Sequence, residues 1–329
     1  MRIAAIVSLS EDLNAGSFSA ARPMLAYSRS PETASYLQFE VLGQSLLDRA
    51  IAKLKQFGVS HYTVISGSSQ QFLPSRVAMV DAFVEAWERT VANYVEECVD
   101  VLLFVRVSAY SDLDYVQLLR FHLETESPIT QAYAAHGALD IALVDASRLR
   151  GGNGAYRRAL GALSSRQGRF IYQGYVNRLG RRQEFYKLIH DGLRGQCALR
   201  PIGTETQEGV WQGADCKIDD SAAIRGPAFI GEGSTVGACC AVGPGSSIER
   251  DCEVDCGTVV EESWIAPSTY LGVALDVRRS IVRQGMLFNL DRNVEVEIGD
   301  HHLIGVAAKS APIFAGLGSL LWGESQPAN

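Results

Sequence analysis

From residue 218 an aliphatic side chain returns at every sixth position: Ile218, Ile224, Ile230, Val236, Val242, Ile248, Val254 and Val260. Four positions after each stands a residue that is nearly always small: Ala222, Ala228, Ser234, Cys240, Ser246, Cys252 and Thr258, with Trp264 closing the series. This period predicts a prism-shaped coil in which each hexad makes one short strand and one corner, three hexads to a turn of about 18 residues. The aliphatic residue fills the interior, and the small one sits where the chain turns tightly. After Val260 the phase moves by one residue, to Ile265, Leu271 and Val277, which predicts a bulge or loop around 261–264. Residues 281–298 read as an irregular cap, with 286–299 covering the strand edges that such a coil leaves open.

The first 200 residues carry other periods. Ile3 to Leu9 is an apolar run of strand length, and Leu46, Leu47, Ala50, Ile51, Leu54 and Phe57 mark one face of a helix that stops at Gly58. A strand follows at 62–66, which completes a βαβ unit and argues for a parallel sheet. Val80 to Val95 keeps a helical period, and Val101 to Val107 is the continuous apolar run of a central strand. Asp112 stands where a helix cap belongs, ahead of the apolar face from Leu113 to Phe121. Strands are predicted at 129–134, 139–145 and 169–172, and helices at 156–164 and 182–193. This alternation predicts an α/β domain over 1–200, a linker over 201–209, the coil with its cap over 210–304, and an apolar tail over 305–329.

Composition narrows the partners. With 47% hydrophobic and 20% charged residues the chain has apolar surface enough for folded cores. Residues 1–199 carry 21 basic and 19 acidic side chains, whereas 200–329 carry 9 and 18, so no basic face for nucleic acid is predicted. Seven cysteines without a CxxC pair point to reduced thiols rather than a disulfide framework or a zinc site. The opening apolar run lacks a cleavage site behind it, and a cytoplasmic protein is expected. The tail is apolar but interrupted by Lys309 and Pro312. It is expected to dock on protein, on its own chain or a partner's, rather than to make interfacial contact with a membrane.

Several stretches carry a resemblance: Val41 to Asp48 with the following GVSHYTVIS, DLDYVQLLRFH at 112–122, GYVNRLGRRQEFYKLIHDGLRG at 174–195, and VWQGADCKIDDSAAIRGPAFIGEGSTVG at 210–237. In this order the chain resembles bacterial sugar-1-phosphate nucleotidyltransferases of the mannose-1-phosphate guanylyltransferase and glucose-1-phosphate thymidylyltransferase type. The resemblance implies a Rossmann-like domain with a mixed, mostly parallel sheet, followed by a left-handed parallel β-helix of hexapeptide repeats. Such enzymes join a nucleoside triphosphate to a sugar 1-phosphate and release pyrophosphate, with magnesium held by carboxylates.

The residues that this chemistry asks for are missing. Ser8, Leu9, Ser10, Glu11, Asp12 and Leu13 stand where a glycine-rich turn should approach the triphosphate, and two carboxylates there would repel it. Arg22, before Pro23, matches the basic position of the family's proline-lysine element. The first metal aspartate should stand at the end of the central strand, where this chain has Leu103, Phe104, Val105, Arg106, Val107 and Ser108, so that Arg106 or its neighbour takes its place, and Arg178 occupies the place of the second. A guanidinium removes an oxygen ligand and repels a divalent cation. No catalytic residue and no metal ligand is assigned, and Ser8, Ser10, Arg22, Arg106 and Arg178 remain as vestigial substrate-binding candidates. Arg106 and Arg178 are read either as packing residues or as fixed positive charge that replaces magnesium and holds an anion. The expected protein is a non-catalytic binding, regulatory or assembly subunit of sugar-nucleotide or polysaccharide metabolism, a homo- or hetero-oligomer with a nucleotide or sugar-phosphate ligand and no cofactor. One alternative is a working enzyme with a divergent site, which would need magnesium, with Asp112 or Asp114 as displaced ligands. The other is a hexapeptide acyltransferase, which needs a histidine on a coil, whereas none lies between His190 and His301.

Overall fold

The computed structural model describes residues 1–8, 39–59, 61–66, 77–79, 83–135, 137–150 and 155–308. Its contacts divide the chain into two compact units: one runs to Phe185, and the other starts at Tyr186 and also takes in Glu40–Gly43. The division falls inside a helix, earlier than the boundary expected near residue 200. No helix among the described residues is long and apolar enough to cross a membrane.

The first unit is built on seven strands: β1 (Ile3–Ser8), β2 (His61–Ser66), β3 (Val77–Met79), β4 (Val101–Arg106), β6 (Ile129–Ala134), β7 (Gly137–Asp145) and β8 (Gln167–Ile171). They lie in the order β3-β2-β1-β4-β7-β6-β8, and only β7 runs antiparallel to its neighbours. Mixed α/β architecture with a mostly parallel sheet is therefore present as expected. A two-stranded ribbon, β5 (Tyr110–Ser111) with β9 (Val176–Asn177), stands apart from it.

Strand alternation sorts the central residues onto two faces. Ala4, Ile6, Leu102, Phe104 and Val144 pack with helices α2 (Phe83–Glu96) and α4 (Tyr156–Leu163), and Trp87 stacks on Phe104. Ala5, Val7, Leu103, Val105 and Leu143 pack on the other face with α1 (Leu46–Gln56) and α3 (Tyr115–Glu124). The α1 helix begins at Ser45, whose hydroxyl accepts from the Asp48 N–H, and it stops before Gly58, where φ is +91°. The cap of α3 is Asp114, which accepts from the Val116 N–H, and not Asp112. Asp112 lies two residues ahead of the cap, too early for its carboxylate to reach the first free amides.

In the second unit the chain passes through three parallel sheets in rotation. It returns to each after 18 residues: Ala228 pairs with Ser246, Val236 with Val254, and Val242 with Val260. The predicted aliphatic column is the core, with Ile230, Val236, Val242, Ile248, Val254, Val260, Ile265, Leu271 and Val277 all buried. The small residues have a second reason to be what they are. The hydroxyls of Ser234, Ser246 and Thr258 and the thiol of Cys240 each donate to a backbone carbonyl 14 or 15 residues on, tying one turn to the next.

Four expectations about this region need correction. No loop leaves the coil around 261–264. Val259–Glu261 and Trp264–Ile265 stay paired, and the turn is one residue shorter, so that Ile248 pairs with Ile265 and Ile265 with Val282 at a spacing of 17. The corner absorbs the change at Glu262, where φ is +44°. Ser263, not Trp264, then fills the small column, donating to the Val277 carbonyl. The coil also runs on through Ser280–Arg283, and the cap begins only with the antiparallel strands Met286–Asn289 and Val294–Glu297. Finally, the stretch 201–209 is not bare linker, because Thr204–Gln207 pairs antiparallel with Val210–Gln212.

Candidate functional site

In an open, mostly parallel sheet, ligands bind beyond the carboxyl ends of the strands, where the strand order reverses direction. Here β1 leads to β2 on one side of itself and β4 lies on the other, so the switch point falls between β1 and β4. Their last residues are Ser8 and Arg106, which pair in register, and the Val107 N–H donates to the Ser8 carbonyl at 3.1 Å. Two of the candidate residues are thus brought side by side at the place where the topology puts a ligand.

Arg106 follows Leu102 and Phe104 onto the α2 face of the sheet, and its side chain is only 8% exposed. Its Nε has no hydrogen-bond partner, and no ion pair among the described residues includes it. The antiparallel register of Val105 with Ile141 runs on to place Asp140 of β7 beside it, on the same face. That carboxylate is engaged elsewhere: Oδ2 accepts from the Ser108 hydroxyl at 2.5 Å. Asp140 escapes a reading for motifs, although Leu139, Ile141 and Leu143 on the opposite face fix its side of the strand.

Arg178 reaches the same edge of the sheet but spends its guanidinium on backbone. Its Nη1 and Nη2 donate to the carbonyls of Ala138 and Gly137, at 2.9 and 3.1 Å, where β7 begins. Next to it Asn177 accepts from the Leu179 N–H and donates to the Glu184 carbonyl, which fixes the left-handed residue Leu179. Of the two readings of Arg178, the packing role is the one these bonds fit. Ser10 and Arg22 lie outside the described residues, as do Glu11 and Asp12.

Magnesium asks for several oxygen ligands in near-octahedral array. Among the described residues this edge offers one carboxylate, already bonded to Ser108, beside a guanidinium. No cluster of three or more His, Cys, Asp or Glu side chains suited to a metal occurs among the described residues. Among the described residues this edge therefore presents no such set of oxygen ligands. Asp112 and Asp114, the candidates for displaced ligands, both lie close enough to Lys53 to act on its charge. Asp114 caps α3, and both carboxylates act on Lys53, whose pKa burial lowers while the two acids oppose the shift. Lys53 Nζ donates to the Ser111 carbonyl at 3.1 Å and lies 5.0 Å from the Tyr115 ring centre, a packed arrangement rather than an open one.

A second buried charge lies in the coil unit. Glu249 is 0% exposed, and its carboxylate accepts four hydrogen bonds. The N–H groups of Leu42 and Gly43 donate to Oε1 and Oε2, both at 2.9 Å; the Ser247 hydroxyl and the Trp264 indole donate to Oε1 at 2.7 and 3.0 Å. Leu42 and Gly43 both have positive φ, 54° and 85°, which turns successive amides toward one anion. Gly43 has no alternative, since a Cβ there would lie 2.9 Å from the Phe229 ring. Burial pushes the Glu249 carboxyl up to about 7, and the four donors hold it from rising further. This cluster is complete within itself.

Set beside known proteins, the chain matches no family model, and no curated protein matches its sequence.

Proposed function

We propose that this chain is a nucleotidyltransferase-like protein of cytoplasmic sugar-nucleotide or polysaccharide metabolism that binds, regulates or assembles without catalysing nucleotidyl transfer itself. In this reading the first unit is a Rossmann-like nucleotidyltransferase domain and the second a left-handed β-helix of hexapeptide repeats that serves as an assembly surface for a homo- or hetero-oligomer. The sheet order, with its single antiparallel strand, and the three-sided parallel coil are compatible with both halves of that architecture.

One observation carries the functional part: Arg106 occupies the carboxyl end of the central strand, where the resemblance calls for a metal-binding aspartate. Phosphoryl-transfer chemistry depends on charge neutralisation by metal and close amides at the reacting oxygens. A fixed arginine binds phosphate but does not bridge the attacking and leaving oxygens as an octahedral ion does. The test is a pyrophosphate-release assay on the full chain with magnesium, each common nucleoside triphosphate, and glucose or mannose 1-phosphate. No release above background is expected. Magnesium-dependent turnover that disappears in Asp140→Asn would instead establish a working enzyme with a displaced site.

A further inference from the structure

We infer that the carboxyl edge of β1 and β4 is a metal-independent binding site for a phosphate-type anion, with the Arg106 guanidinium as its fixed charge. The inference deepens the proposed function and rests on it in one respect, that no divalent cation takes the place of Arg106.

The argument starts from cost. A guanidinium is among the groups least often buried, and a buried cation without a counter-charge destabilises the fold. Folds tolerate such a group when it is paired, or when something outside the fold pairs with it. Arg106 is 8% exposed, its Nε lacks a partner, and none of the ion pairs among the described residues involves it. The nearest strand position that bears a carboxylate, Asp140, is turned to Ser108. Among the described residues no carboxylate pairs with this charge at ion-pair distance, and Asp140 on the next strand offsets its burial only in part.

Place supplies the second argument. Arg106 does not sit at random on the sheet: it ends the central strand at the switch point, beside Ser8, where a ligand entering from the carboxyl edge is met by strand ends. A guanidinium presents five donors in a flat fork matched to phosphate oxygens, keeps its charge at every physiological pH, and is less strongly hydrated than an ammonium. An arginine held in a low-dielectric edge therefore binds an oxyanion without a bridging metal. The neighbouring negative charge of Asp140 sets a limit on the affinity and does not abolish the site, since it is already an acceptor for Ser108. Arg178, bonded to the carbonyls of Gly137 and Ala138, steadies the start of β7 that carries Asp140.

The experiment is calorimetric titration of the full chain with inorganic pyrophosphate, and separately orthophosphate, in the presence of EDTA. Saturable binding of at least one of them is expected with the chelator present. In Arg106→Met the affinity falls by at least about tenfold, the cost of losing charge-assisted hydrogen bonds. The same variant, freed of an unpaired charge, melts at a temperature equal to or above that of the parent when no anion is present. That second readout separates a ligand-binding arginine from a structural one, whose loss would lower the melting temperature. Asp140→Asn tightens binding, because a negative charge beside the anion is removed. Absence of binding in EDTA, equal affinity in Arg106→Met, a lowered melting temperature of that variant, or weaker binding in Asp140→Asn would each overturn the inference. Its failure is distinguishable from that of the proposed function: no binding with no pyrophosphate release removes only the ligand site, whereas magnesium-dependent release with chelator-resistant binding removes only the claim of inactivity.

Discussion

Glu249 and Arg106 are both ionisable side chains withdrawn from water, one in each unit, and the protein treats them in opposite ways. Around Glu249 the fold supplies four donors, including two successive amides whose backbone is bent into the left-handed region for the purpose. Around Arg106 it supplies none to Nε and no carboxylate at ion-pair distance among the described residues. A charge whose partners all come from its own chain needs nothing further and reads as architecture. A charge without partners is a standing cost, and at a switch point between strands it reads as one half of an interaction. Burial alone does not distinguish a functional group from a structural one; the census of its partners does.

The sharpest way to test the rule is to bury a third charge with no donors at all. Val236→Asp places a carboxylate in the coil interior, where Val236 is surrounded by the aliphatic column. The loss is expected to be on the order of 5 kcal/mol or more, enough to unfold the neighbouring turns. Far-UV circular dichroism and a melting temperature identical to those of the parent would show the interior register to be wrong. Next in size is Glu249→Ala, which leaves four buried donors without an acceptor. A destabilisation of about 4 kcal/mol in urea unfolding is expected, after allowance for water entering the space. A change within a few tenths of a kcal/mol would mean that the cluster is incidental and would blunt the contrast with Arg106.

The smallest expected effect is a dependence on pH. Because the folded-state pKa of Glu249, about 7, is raised above the ordinary value of 4.5, the folded protein holds its proton more tightly than the unfolded chain does. The stability that this group contributes is fully present below about pH 4.5 and is lost as pH rises through about 7, a change of up to about 3 kcal/mol. Unfolding of the parent and of Glu249→Gln at pH 5 and pH 8 isolates it. The parent is expected to lose more stability than the variant over that range, and parallel profiles would sink the assignment.

How much of this the amino-acid sequence discloses follows from how far each feature reaches along the chain. The coil's interior column is legible because each aliphatic residue is required by its own hexad. Strands β1 and β4 are legible as short apolar runs. Arg106 is legible as a charge closing such a run, but its lack of partners is not, since that is a property of everything folded around it. Glu249 is hidden for the same reason. Charged or polar residues follow several of the aliphatic positions, among them Asp219, Arg225 and Asp255, and what sets Glu249 apart is an amide 207 residues away. The strand Thr204–Gln207 is hidden because all four of its residues are polar and exposed, so that no apolar alternation announces it. The assignment of the small column to Trp264 goes astray because a period of six was carried across a corner that had lost a residue, and hydrogen bonding from Ser263 is what restores the count.

That shortened corner bears on how such a molecule tolerates insertion and deletion over evolutionary time. In the seven-stranded sheet the loss of one residue within a strand would turn every following side chain of that strand to the opposite face, and both clusters of core residues would be spoiled together. The coil has already lost one residue at each of two places and keeps Ile265 and Val282 inside. Its corners act as joints that decouple one short strand from the next, so a length change is confined to the turn in which it occurs. A residue added or removed at a corner of the coil is therefore expected to disturb one turn, whereas the same change within a strand of the α/β unit disturbs both faces of its sheet.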